Sequence, residues 1–207
     1  MNSGGLLCGL DEAGRGPLAG PVSAAAVILP DDFPLELLND SKKLSPAARE
    51  KARLVICRGA LAWGIGWASP AEIDEINILK ASLLAMKRAY EIMTVSWNES
   101  LLKSMGINSN DAGSSSFPAI RAVADGLFIP DIPVPCEPLV KADSLVPAVM
   151  AASILAKTAR DRLMEYYAIF FPEYGYEKHK GYPTKAHREA IQQYGPSTIQ
   201  RMSFRCN

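Results

Sequence analysis

The chain has 207 residues, of which 48% are hydrophobic and 21% charged, with 22 Lys and Arg against 22 Asp and Glu. This composition suits a globular domain with one core; it excludes wholesale disorder and leaves no global charge to attract nucleic acid or membrane. The longest charge-free run, Gly16 to Pro30, is broken by Pro17, Pro21 and Ser23 and is shorter than the ~20 apolar residues of a membrane span. Cys8, Cys57, Cys136 and Cys206 form no Cys-x-x-Cys pair, so neither a zinc site nor a disulfide framework is expected. No basic residue precedes the N-terminal apolar run and Asp11 and Glu12 follow it, which is not a signal-peptide pattern. The expectation is one cytoplasmic domain over residues 1–207.

Leu6 to Leu10 is a short apolar run that suits a buried strand, and Pro21 to Leu29 is a second, closed by Pro30-Asp31-Asp32. Ser45-Pro46 starts a helix to about Cys57, with Gly59 just past its end. Ala60 to Ala68 reads as a third strand with Trp63, Ile65 and Trp67 on one face. Ser69 to Glu72 has capping-box spacing and opens a helix to about Met93, with Ile76, Leu79, Leu83, Met86 and Tyr90 in one stripe. Thr94 to Pro118 holds seven serines and reads as a loop with a short helical piece near Leu101. Ile120 to Ala124 is a fourth strand and Leu139 to Lys141 a short fifth. A long helix follows from about Ser144 to Ile169, then a loop from Phe171 to Pro183, and Thr184 caps a last helix ending before Gly195. Strands grouped first and then alternating with helices indicate an α/β mixed sheet with helices packed on it.

The chemistry concentrates in LDEAGRGPLAGP, Leu10 to Pro21. Asp11 and Glu12 point to opposite faces of a regular strand, so both serve one site only if the strand ends there. Gly14 and Gly16 let backbone N–H groups approach a ligand closely. Asp125 and Asp143 each end a predicted strand, as Asp11 does, and strand ends in open sheets gather side chains into one crevice. Four carboxylates there repel one another unless a cation sits among them, and oxygen ligands without His or Cys suit magnesium or manganese. Each acid alone is equally a turn residue or a helix cap. Basic residues cluster at Lys42 to Arg58 and in KHKGYPTKAHR, Lys178 to Arg188, where Tyr182 interleaves with the charges in a pattern suited to a nucleic-acid backbone. His179 and His187 leave open a metal-free acid–base pair that cleaves RNA through its own 2′-hydroxyl. A non-catalytic hybrid-binding module and a magnesium phosphohydrolase for small esters are further alternatives.

LDEAGRG at 10–16, NDSKKLS at 39–45, EIDEINI at 72–78, KADSLVPAVMAASILAKTARDR at 141–162 and KHKGYPTKAH at 178–187 together resemble bacterial ribonuclease HII, in order and over almost the whole chain. The resemblance implies a ribonuclease H-like fold: a five-stranded mixed sheet flanked by helices, with a helical, substrate-contacting C-terminal part over residues 170–207. It implies a monomeric endoribonuclease acting on RNA–DNA hybrids and on single ribonucleotides in duplex DNA, with two Mn2+ or Mg2+ ions. By similarity, Asp11, Glu12, Asp125 and Asp143 are the catalytic, metal-binding acids, and the Gly14-Arg15-Gly16 backbone recognises the 2′-hydroxyl and a phosphate. Tyr182 stacks on the next sugar, and Lys43, Ser144 and Lys180 neighbour the phosphate backbone. Ala142 and Ala124 depart from the usual pattern, as does a longer 94–118 segment, without removing an acid.

Overall fold

A computed structural model describes residues 5–38, 41, 44–104 and 119–205. Strands β1 (Leu6–Ala13), β2 (Val22–Ile28), β3 (Ala62–Ala68), β4 (Ile120–Asp125) and β5 (Cys136–Leu139) form one sheet in the order β3-β2-β1-β4-β5. β2 pairs antiparallel with β1 and β3, whereas β4 runs parallel to β1 and β5, so the sheet is mixed as expected. The helices are α1 (Pro46–Gly59), α2 (Pro70–Ile76), α3 (Ile78–Ser104), α4 (Pro147–Phe170), α5 (Tyr176–His179) and α6 (Lys185–Tyr194).

Alternation along the strands divides the core. Cys8, Leu10, Ala24 and Ala26 pack on one face with Ala85, Met86, Ala89 and Met93 of α3. Ala25 and Val27 pack on the other with Ile56 of α1 and Ile154 and Leu155 of α4. Small residues let the helices lie directly on the sheet. A Cβ on Gly9 would fall 2.1 Å from the Ala148 carbonyl carbon of α4, and one on Gly66 would fall 2.2 Å from the Ala85 oxygen of α3. The buried face of β3 is therefore Ala62, Gly64, Gly66 and Ala68, while Trp63, Ile65 and Trp67 lie half-buried on the opposite side.

Several elements differ from their sequence-based bounds. The helix expected over 69–93 is two helices, because Asn77 adopts φ 68° and its side chain accepts hydrogen bonds from Leu79 and Lys80 N–H, capping α3 afresh. α3 continues through Ser104, so residues 94–104 are not a loop; Met93 and Trp97 carry its buried stripe onward. The remainder of that expected loop, 105–118, lies outside the described residues. β5 sits earlier than Leu139–Lys141, and the long helix starts only at Pro147, after a 3-10 turn over Ala142–Ser144. The 171–183 segment contains a 3-10 turn over Pro172–Tyr174 and then α5. The capping box at Ser69–Glu72 and the Ser45 and Thr184 caps form as expected. No described helix is long and apolar enough to cross a membrane.

Candidate active site

β1 and β4 lie side by side and parallel, so their C-terminal ends deliver Asp11 and Asp125 to one edge. The 3-10 turn after β5 adds Asp143, whose backbone N–H lies 3.5 Å from Asp125 Oδ1. The three residues offer carboxylate oxygens that all lie within 4.8 Å of one another. Asp11 and Asp143 are buried and Asp125 is half-buried. Burial, then the Glu12 charge, then the Asp125 charge push the Asp11 carboxyl well above its ordinary range, against the hydrogen bonds from Ser153 and the Glu12 N–H. An all-oxygen set of crowded carboxylates is short of positive charge, and a hard divalent cation supplies it; the donor set fits such an ion.

Glu12 stands beside this group rather than within it. β1 runs on to Ala13 instead of ending at Asp11, and the Glu12 carboxylate pairs with Arg15 at 3.3 Å. Glu12 lines an adjoining cleft of about 210 Å3 with Gly14, Arg15, Gly16 and Tyr182. A Cβ on Gly16 would meet only Tyr182, in ordinary contact at 3.7 Å, so the glycine leaves room for about one methyl group beside the ring. Tyr182 is 39% exposed, with Lys157 Nζ 5.7 Å and the Arg160 guanidinium 6.0 Å from its ring centre.

The remaining expected contacts are dispersed. Ser144 is exposed beside the acids, its hydroxyl 3.3 Å from Asp143 Oδ1. Lys180 has its ammonium on Glu165 at 2.7 Å and lines a neighbouring groove with Arg49 and Lys157, away from the acids. Lys43 lies outside the described residues. His179 and His187 stack on each other with ring centres 4.6 Å apart. Gly181 N–H donates to His179 Nδ1, so Nε2 of that ring carries the proton donated to the Tyr174 carbonyl; His187 Nδ1 lies 3.0 Å from the Tyr182 carbonyl. Burial lowers the pKa of both, and His187 is wholly enclosed, so the pair braces the Tyr182 loop and is not placed for acid–base work.

Four residues of the site were not singled out in the sequence. Ser153 of α4 bonds Asp11 and sits 2.8 Å from the Ser41 hydroxyl. Two arginines, Arg160 and Arg201, are buried beneath the cleft with backbone carbonyls as their hydrogen-bond partners. Arg160 donates to the carbonyls of Ala19, Pro21 and Lys180, and Arg201 to those of Gly14, Arg15, Pro17 and Gly20. Desolvation lowers them to about 10 and about 9 respectively, and Arg160 adds to the effect on Arg201; both stay charged at neutral pH. The Gly14–Gly20 loop thus rests on two buried cations. Arg160 lies within the 141–162 motif without standing out there, and none of the quoted motifs covers Arg201.

A mixed sheet with aspartates at the ends of its parallel strands, opening onto a glycine loop and an exposed tyrosine, defines a metal-dependent nuclease of the ribonuclease H class. The family model described as Ribonuclease HII matches residues 8–207. A Ribonuclease HII of Treponema denticola is 54% identical over 202 residues, covering 96% of this chain and 98% of its own. One from Moorella thermoacetica is 46% identical over 199 residues, covering 96% and 86%. The crystal structure of the ribonuclease H2 from Pyrococcus horikoshii OT3 shares the fold, with a TM-score of 0.67 at 24% identity over 97% of this chain and 94% of that one. The chain belongs to the ribonuclease HII family, and is a metal-dependent endoribonuclease acting on RNA in RNA–DNA hybrids.

Proposed function

We propose that the chain also cuts duplex DNA on the 5′ side of a single embedded ribonucleotide, leaving 3′-hydroxyl and 5′-phosphate ends, and that it acts as a cytoplasmic monomer. The observation that carries this reading is the meeting of three aspartate carboxylates within 4.8 Å beside the Gly14–Gly16 loop and Tyr182. Asp11, Asp125 and Asp143 would hold two divalent cations, Mn2+ or Mg2+, with Glu12 at the rim. Held there, such ions would supply activation of the attacking water and stabilisation of the leaving oxygen. Ser153 and the Glu12 N–H orient Asp11 and Ser144 orients Asp143, so the donor atoms are fixed before substrate arrives.

Substrate selection falls to the loops. Backbone N–H groups of the Gly14–Gly16 loop donate to the ribose 2′-hydroxyl and the adjoining phosphate. The 2′-hydroxyl both donates and accepts, and it alone marks a ribonucleotide within DNA. Tyr182 stacks on the following sugar, which favours an RNA-to-DNA junction because a deoxyribose has no 2′-hydroxyl to clash with the ring. Lys180, and Lys43 from the basic segment, contact the phosphate backbone farther along, Lys180 on leaving Glu165.

The test is a labelled duplex carrying one ribonucleotide, incubated with Mn2+ or Mg2+ and with a chelator. Cation-dependent cleavage 5′ of the ribonucleotide with a 3′-hydroxyl end is expected. A 2′,3′-cyclic phosphate product would return the chemistry to the histidines, and binding without cleavage would reduce the chain to a hybrid-binding module.

A further inference from the structure

The buried arginine at position 201 has an arrangement that packing alone does not require. Its guanidinium is fully enclosed, and three of the four carbonyls it binds come from Gly14, Arg15 and Pro17, at 2.6, 3.0 and 2.8 Å. In a trans peptide the carbonyl of one residue and the N–H of the next point in opposite directions. Turning those carbonyls down onto Arg201 therefore turns the N–H groups of Arg15, Gly16 and Leu18 away from it. Of these, Leu18 N–H crosses to the Gly181 carbonyl at 2.8 Å, on the side of the Tyr182 loop. The N–H groups of Arg15 and Gly16 have no protein acceptor among the described residues, and both residues line the cleft.

The arginine is itself held from behind. Asp74 of α2 accepts the N–H groups of Met202 and Ser203, both at 2.9 Å, and the Ser203 hydroxyl. Arg201 N–H donates to the Leu18 carbonyl, and the Phe204 ring lies 5.1 Å from its guanidinium carbon. A chain of contacts thus runs from α2 through the 200–204 segment to the glycine loop.

We propose that Arg201 is a positioning residue for ribose recognition: by gathering the carbonyls of Gly14, Arg15 and Pro17 it aims the Arg15 and Gly16 N–H groups at the 2′-hydroxyl and its neighbouring phosphate. It touches no substrate. The inference rests on the assignment of the Gly14–Gly16 backbone to ribose recognition made above. A lysine keeps the charge but cannot span the carbonyls, because a single ammonium replaces a planar fork of five donors.

The experiment measures the affinity of two duplexes by fluorescence anisotropy without divalent cation, one all-DNA and one with a single ribonucleotide, for the wild type and Arg201→Lys. For the wild type the ribonucleotide duplex binds more tightly. In Arg201→Lys that preference shrinks by about tenfold, the equivalent of one well-aligned hydrogen bond, while all-DNA binding changes little. A purely structural arginine would weaken both duplexes alike and leave the ratio intact, which would overturn the proposal. If the wild type shows no preference, the assignment of the loop to ribose recognition has failed instead. If Arg201→Lys does not melt cooperatively, Asp74→Asn decides, since it loosens the support and leaves the guanidinium in place. A narrowed preference in that variant supports the positioning role, and an unchanged one overturns it.

Discussion

Replacing Asp11 with Asn separates catalysis from stability in opposite directions. The side chains have nearly equal volume, and the Asn oxygen still accepts the Glu12 N–H that Asp11 Oδ1 accepts at 2.7 Å. What disappears is a buried negative charge with other carboxylate oxygens within 4.8 Å. At an effective dielectric constant of about 20, two unit charges at that separation repel by about 3.5 kcal/mol. Part of this is already relieved, because Asp11 ionises reluctantly and Asp125 is half-exposed to solvent. The expected net gain for Asp11→Asn without divalent cation is about 1–3 kcal/mol. Urea unfolding near neutral pH with chelator measures it, as a higher midpoint at unchanged slope. Adding Mn2+ should raise the wild-type midpoint more than that of the variant, since the stabilisation by an ion bound only to the native state grows with the logarithm of its affinity. Cleavage by the variant should fall by orders of magnitude. A variant less stable than the wild type in chelator, or one that still cleaves normally, would refute the account of crowded carboxylates.

Asp125→Asn should likewise leave a folded protein with cleavage reduced by orders of magnitude, checked by circular dichroism and multiple-turnover assays. Tyr182→Ala should weaken kcat/KM at a single embedded ribonucleotide by about 1–3 kcal/mol, the usual worth of stacking on an aromatic ring, with a smaller loss on continuous hybrid. Gly16→Ala should melt close to the wild type, because its methyl meets only Tyr182 at 3.7 Å, yet lose about a hundredfold in cleavage as the methyl fills the gap the ribose enters. Glu72 is held at about 2, first by hydrogen bonds from Arg88 and then by the Ser69 N–H. Its folded-state value lies below its ordinary 4.5, so its stabilisation is present above that pH and is lost as pH falls toward 2. Discounted for solvent screening, Glu72→Gln should cost about 1–2 kcal/mol at neutral pH, and the difference should close on acidification in urea titrations.

Asp11 and Asp125 were legible because each follows an apolar run, and they do meet Asp143, although that residue lies on a 3-10 turn past the end of β5 and not at a strand end. Glu12 was harder to place: whether it joins the three depends on where β1 stops, and a strand bound by β2 out to Ala13 runs past the acids. The split at Asn77 hides inside continuous helical periodicity, since a single residue at positive φ changes no pattern of apolar spacing. Residues 94–104 read as loop because they run into the serine- and glycine-rich stretch up to Pro118, although Trp97 and Leu101 continue the stripe of Met86, Tyr90 and Met93 that packs on the sheet. Arg160 and Arg201 were illegible for a different reason. Arginine is ordinarily exposed, and a ring of main-chain oxygens that can enclose one is a property of the folded backbone alone.

That ring also governs when the nuclease becomes complete. The contact between Arg201 and the Gly14 carbonyl joins positions 187 residues apart, and the bridge between Ala19 and Gln200 spans nearly as much chain. Contacts so remote in sequence form late, because so much chain must be ordered before they are rewarded. The strand that bears Asp11 is made long before residue 201, so its glycine turn acquires its underlying cation only after the intervening residues have emerged. A nascent chain holding all of its acids is therefore still without a finished surface on which to judge a sugar.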